Sequence, residues 1–185
     1  MSEQSDQERW NGRFAGDDYL FGTAPNAFLS SQQDLLLPGQ RALALADGEG
    51  RNGVWLAEQG LRVTATDFSP VALDKARRLA ADRKVEVSFV QADLATWEWT
   101  EGSFDVVAAI FIQFADPTLR EAIFQGIRRT LAPGGLLLLQ GYRPEQIRYG
   151  TGGPPHAENM YTATMLREAF HDFEIVSLAE HDSVI

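Results

Sequence analysis

The chain has 185 residues, of which 44% are hydrophobic and 23% charged, with a formal net charge of −10 and no cysteine. That length suits a single domain with an apolar core. The acidic balance argues against a phosphate backbone as partner, because gripping one takes clustered Lys and Arg. The absence of cysteine excludes disulfides, thiolate nucleophiles and Cys-based metal sites, and no metal is expected. No apolar run approaches the ~20 residues that cross a bilayer, and the polar start MSEQSDQERW is unlike a signal peptide. A cytoplasmic location is expected, with neither membrane nor nucleic acid as partner.

The first forty residues read as an aromatic-rich segment holding Trp10, Phe14, Tyr19 and Phe21, then a helix over Asn26–Leu36. Such a segment either packs on the body or folds over a ligand as a lid. From residue 41, apolar runs of strand length alternate with amphipathic stretches of helix length, the pattern of a parallel sheet. Arg41–Ala46 is the first strand, closed by the turn Asp47-Gly48-Glu49-Gly50. A helix over Asn52–Gln59 ends at Gly60, and Arg62–Asp67 is the second strand. Ser69-Pro70 opens a helix reaching Arg83, with Ser as N-cap and Pro in the first turn. Lys75, Arg77 and Arg78 on it read as a solvated face.

Val85–Gln91 alternates as a third strand. Phe104–Phe111 is continuously apolar, as a strand covered on both faces should be. A helix over Pro117–Leu131 carries Leu119, Ile123, Ile127 and Leu131 on one stripe. Leu131–Gly135 then makes a helix stop and tight turn before a fifth strand, Gly135–Gly141. A Gly- and Pro-rich loop, Arg143–Pro155, leads to a helix near Tyr161–Phe170. Phe173–Leu178, running on toward Ile185, is expected as a sixth strand. The fold class is α/β: a Rossmann-like three-layer α/β/α sandwich around a mostly parallel sheet, one domain over residues 1–185 with a core from residue 41.

Ligands of open parallel sheets sit beyond the carboxyl ends of the strands. Gly48 and Gly50 stand there, where a backbone without Cβ atoms can approach a ligand closely and the next helix offers free N–H groups. Asp67, about twenty residues on, is placed to accept from a ribose diol. Gly48-x-Gly50-x-x-Gly53 also satisfies a dinucleotide fingerprint, so a nucleoside-containing ligand is expected. Asp93, in Ala92-Asp93-Leu94 at the tip of the third strand, is either an adenine reader or a turn residue.

Gly48-Glu49-Gly50-Arg51-Asn52, Leu56-Ala57, Gly60, Val63-Thr64-Ala65 and Asp67 resemble class I S-adenosylmethionine-dependent methyltransferases, most of all the tellurite-resistance and thiopurine-methyltransferase branch. The Leu-x-Pro-Gly-Gly turn, Asp93 and Leu166-Arg167 fit the same family. The resemblance implies S-adenosylmethionine as cofactor. Gly48 and Gly50 would border its methionine part, with Arg51 and Asn52 beside it. Asp67 would hold the ribose, Phe68 lie against the adenine and Asp93, flanked by Ala92 and Leu94, read its amino group. Ile110 and Phe111 would wall the site near the sulfonium.

Two departures stand out. The family has an acid and a glycine where this chain has Ala44 and Ala46, so Asp47 or Glu49 is expected to supply the charge. The family sheet also has a seventh, antiparallel strand, for which this chain holds no residues; the oligomeric state is left open.

The implied reaction is methyl transfer to a small-molecule acceptor, such as a thiol or a selenium or tellurium species that needs no base. Trp10, Arg13, Phe14, Gln113, Phe114, Tyr142 and Tyr149 are the candidate pocket residues, with His156 the one histidine expected on the ligand side. Tyr149–Pro154 is expected either as a closing loop or as a surface connection. The alternatives are a nicotinamide-dependent oxidoreductase and a cofactor-binding protein without catalysis.

Overall fold

A computed structural model describes residues 5–150 and 153–182. Helix α1 spans Asp6–Phe14. Ser5 caps it by accepting from the Glu8 N–H, while the Glu8 carboxylate accepts from the Ser5 N–H. Helix α2 (Ala27–Ser31) and a 3₁₀ turn (Gln33–Leu35) follow. The body then runs β1 (Arg41–Ala44), α3 (Arg51–Glu58), β2 (Arg62–Asp67), α4 (Pro70–Arg83), β3 (Val87–Gln91), β4 (Phe104–Ile110), α5 (Pro117–Thr130) and β5 (Leu131–Gln140). Short α6 (Gln146–Tyr149), a 3₁₀ turn (Ala157–Asn159) and α7 (Ala163–Ala169) complete the described elements.

The strands form one sheet in the order β3-β2-β1-β4-β5, each pair parallel. Chain direction across the sheet reverses at β1, which lies between β2 and β4. In open parallel sheets such a reversal marks where ligands bind, beyond the carboxyl ends of β1 and β4. Both faces of the central strands are covered. Ala42, Ala44, Val106 and Ala108 pack with Leu29, Trp55 and Leu56 on one side. Leu43, Leu45, Val107 and Ala109 pack with Ile123, Phe124 and Ile127 of α5 on the other. This double coverage explains the unbroken apolar runs and gives the three layers expected. At the opposite, amino end, Arg41 donates from its backbone and guanidinium to the Asp105 carboxylate at 2.7–3.1 Å, fixing β1 against β4.

Several boundaries differ from the sequence reading. The expected Asn26–Leu36 helix is one α-turn capped by Asn26 and one 3₁₀ turn, Gln32 between them making no side-chain cap. Ala46 lies outside β1 because it turns to φ 46°, a conformation that glycine adopts readily and alanine does not. The Leu131–Gly135 turn is absorbed into β5 as a bulge: the register steps from Phe104 against Leu131 to Val106 against Leu136.

The expected sixth strand is not formed. Phe173–Leu178 is irregular, with Val176 69% exposed, and no described strand pairs beyond β5. An apolar pattern makes a strand only where a neighbouring backbone takes its hydrogen bonds, and here the segment lines a groove with Leu136–Leu139 instead. Residues 151–152 of the expected loop and 183–185 of the expected strand lie outside the described residues.

Candidate active site

The turn after β1 is built from crossed hydrogen bonds. Asp67, at the end of β2, accepts from the Gly48 N–H and the Ser69 N–H, both at 2.9 Å. Asp47 accepts from the Gly53 N–H at 2.8 Å, on the far side of the turn. Gly50 sits at φ 88°, and a Cβ there would stand 2.7 Å from the Ala76 Cβ. Glycine is therefore required at Gly50 both by conformation and by the close approach of α3 to α4. Burial pushes the Asp47 carboxyl up to about 7, with neighbouring Asp67 adding to the rise and the Gly53 bond opposing it. Burial also raises Asp67. Two acids whose carboxyls burial raises, beside a glycine cradle, suit a ligand that brings hydroxyls and a cation.

The aromatic N-terminal segment lies over this turn. The Phe14 ring is 3.6 Å from where a Gly48 Cβ would be. Trp10 stacks on Phe14 with ring centres 5.4 Å apart, and the Arg13 guanidinium stands 4.3 Å from the Trp10 ring centre. Two bonds seat α1 on the corner after β2: Gln7 Nε2 donates to the Phe68 carbonyl, and the Ser69 hydroxyl donates to Asn11 Oδ1. The helix itself was legible through Ser5-x-x-Glu8, a capping box that the aromatic content overshadowed.

A second aromatic group stands after β4 and β5. Phe111, at φ 56°, packs against Tyr142 with ring centres 4.6 Å apart. Gln113 is buried and brackets the Tyr142 backbone, donating to its carbonyl at 2.8 Å and accepting from its N–H at 2.6 Å. Arg51 stands near this second group. Its guanidinium donates to the Phe21 carbonyl; burial raises the Tyr142 phenol, and Arg51 is close enough to oppose part of that rise. Gln140, at the carboxyl tip of β5, has its Oε1 buried with no hydrogen-bond partner among the described residues.

Other candidates are spent elsewhere or stand apart. Asn52 is buried and accepts from the Asn26 N–H at 2.9 Å. Glu49 is buried in an ion pair with Lys75 and also accepts from the Leu20 N–H. Arg77 and Arg78 are exposed, as a solvated face should be, but Lys75 is 2% exposed. A lysine two residues before exposed arginines looks solvated in sequence; only the fold brings Glu49 and three carbonyls to it. Asp93 is exposed and accepts from the Ala95 N–H at 2.9 Å, the geometry of a turn residue, between half-buried Ala92 and buried Leu94. Ile110 is buried. Phe114 and Tyr149 are exposed, Tyr149 donating to Asp182 at 3.1 Å, and His156 pairs with Glu158 at 3.5 Å on the surface.

A parallel sheet, a glycine turn at its reversal and two acids at adjacent strand tips define a nucleoside-binding α/β domain. Residues 42–135, half of the chain, match the family model described as a methyltransferase domain. The chain belongs to that family, among the class I S-adenosylmethionine-dependent methyltransferases, and S-adenosylmethionine is the cofactor expected of it. It is 38% identical to a demethylmenaquinone methyltransferase of Thermus thermophilus over 109 residues, 57% of this chain and 48% of that protein. It is 33% identical to a cypemycin N-terminal methyltransferase of a Streptomyces species over 129 residues, 68% of this chain and 51% of that one. The chain thus spans about half the length of these curated relatives. A TehB-like SAM-dependent methyltransferase from Corynebacterium glutamicum shares the fold, with a TM-score of 0.60 at 20% identity over 89% of this chain and 78% of that one.

Proposed function

We propose that the chain transfers a methyl group from S-adenosylmethionine to a small planar acceptor of the quinone type. The observation that carries this reading is a pair of aromatic groups, Trp10–Phe14 beside the glycine turn and Phe111–Tyr142 near Arg51. Flat apolar walls of this kind favour a conjugated ring held face to face. The demethylmenaquinone methyltransferase among the relatives points the same way. A thiol, selenium or tellurium acceptor, as the tellurite-resistance branch would imply, has less support, because such small species leave these walls unfilled.

The cofactor supplies a methyl already activated by its sulfonium. In this reading Asp47 takes its ammonium, Gly48 and Gly50 admit its methionine part, and Asp67 accepts from its ribose. Phe68 and Asp93 flank its adenine, and Ile110 and Phe111 wall its sulfur. The protein's remaining work is orientation and exclusion of water, which supply up to ~7–11 kcal/mol of a barrier in favourable systems. Gln140 offers its unpaired amide oxygen to an acceptor hydroxyl, which would repay a buried, unsatisfied carbonyl costing ~1–3 kcal/mol. His156 has no role in this reading.

Membership of the methyltransferase family sets the nicotinamide-dependent alternative aside. The test is label transfer from methyl-labelled S-adenosylmethionine to a soluble naphthoquinol, beside thiol, selenite and tellurite acceptors, with S-adenosylhomocysteine binding measured in parallel. Methylated quinol is the expected product. Methylation of the thiol or chalcogen acceptors alone refutes the quinone reading, and tight binding with no turnover on any acceptor favours a protein that holds the cofactor without using it.

A further inference from the structure

Lys75 lies in the middle of α4, buried with its side chain 3% exposed, where a lysine is rare unless it is fully partnered. Its partners are two different parts of the chain. The Nζ donates to the carbonyls of Gly16 at 2.9 Å and Asp18 at 2.6 Å, with the Phe14 carbonyl further off at 3.4 Å. It also forms the ion pair with Glu49 Oε1, whose other oxygen accepts from the Leu20 N–H at 2.7 Å. The Tyr19 ring closes the enclosure, its centre 5.1 Å from Nζ and its hydroxyl donating to the Lys75 carbonyl. The backbone from Phe14 to Leu20 is therefore wrapped around one ammonium group. Glu49, the counter-charge, is itself the middle residue of Gly48-Glu49-Gly50.

We propose that Lys75 and Glu49 are positioning residues that lock the N-terminal segment to the glycine turn, so that Phe14 is seated on Gly48 only while the turn holds its ligand-ready shape. The argument is geometric. Glu49 cannot shift without releasing both the ammonium and the Leu20 N–H, and the wrap ends at Phe14, whose ring stands 3.6 Å from where a Gly48 Cβ would be. Ordering the turn with a ligand then orders residues 14–20, and loosening those residues weakens the ligand. The inference rests on the proposed cofactor site at the glycine turn.

Hydrogen exchange of the wild-type chain with and without S-adenosylhomocysteine tests it, together with calorimetric binding to wild type, K75M and E49Q. The expected result is added protection of amides 14–22 in the wild type on binding. In both variants that added protection should be lost, with a Kd weakened about tenfold or more, equivalent to ~1.4 kcal/mol. A purely structural lysine would lower the melting temperature while leaving the ligand-dependent protection intact, and that outcome overturns the proposal. Should the variants fail to fold, the wild-type exchange decides: bound ligand with no change at 14–22 refutes the coupling. A wild-type chain that binds no S-adenosylhomocysteine refutes instead the cofactor site on which the inference stands.

Discussion

Changing Asp47 to Asn should abolish a pH dependence of ligand binding that the wild-type chain displays. Burial holds the Asp47 carboxyl up at about 7. In the unfolded chain it titrates near ~3.9. An acid raised on folding contributes stability that is full below the unfolded value and is lost as pH rises through about 7. A ligand that brings an ammonium to Asp47 favours the ionised form, so binding expels a proton at acid pH. At about pH 5 the free carboxyl is ~1% ionised, so Kd should be up to ~100-fold weaker than its plateau, or ~2.7 kcal/mol. D47N keeps an oxygen for the Gly53 N–H but no charge, and should sit at a flat, weak Kd across the range. Calorimetry with S-adenosylhomocysteine at about pH 5 to about pH 7.5, in two buffers of different ionisation heat, reads both affinity and proton release. A wild-type Kd that moves less than about threefold, or a D47N chain that binds as well as wild type, refutes the assignment of Asp47 to the cofactor's ammonium.

Four further outcomes follow from the same geometry. G50A should lose about 2–4 kcal/mol of stability in denaturant titration, combining a left-handed φ of 88° with a 2.7 Å clash against Ala76. G48A should lose less than G50A, about 1–2 kcal/mol, because only φ strain applies and Phe14 is at ordinary contact distance. A46G relieves the φ of 46° at the price of chain entropy, and should change stability by less than about 1 kcal/mol while leaving S-adenosylhomocysteine affinity unaltered. D105N removes the acceptor that holds Arg41, and Asp105 is itself lowered to about 2 by that guanidinium. A depressed acid contributes stability present above its unfolded value and lost as pH falls through about 2. The melting-temperature loss of D105N should therefore be plain at neutral pH and vanish toward pH 2, with no effect on ligand affinity.

Much of the sheet was legible because its residues obey local rules. Arg62–Asp67 and Ser69–Arg83 carry a strand and a capped helix in their own composition, and Gly48 and Gly50 announce a turn that only glycine makes comfortably. What was hidden depends on distant partners. Phe173–Leu178 has a strand's composition, but pairing is decided by a neighbour, and β5 leaves it none in register. Lys75 has a surface residue's chemistry until the segment from Phe14 to Leu20 folds around it. Glu49 looked available to a ligand because sequence does not reveal which charges are already paired. Ala46 was readable as a departure, but the positive φ it tolerates belongs to the three-dimensional path of the turn.

The meeting of Gly50 with Ala76 carries a consequence for how such chains can drift. With α3 and α4 this close, position 76 has an upper size limit set by the glycine, just as position 50 has one set by the alanine. The two cannot change independently: in related chains a larger residue at either should appear only with the helices moved apart. Because Ala76 follows Lys75 directly, any such separation would also carry the ammonium away from Glu49. Natural variation at this one contact is thus constrained by the turn and by the N-terminal wrap at once.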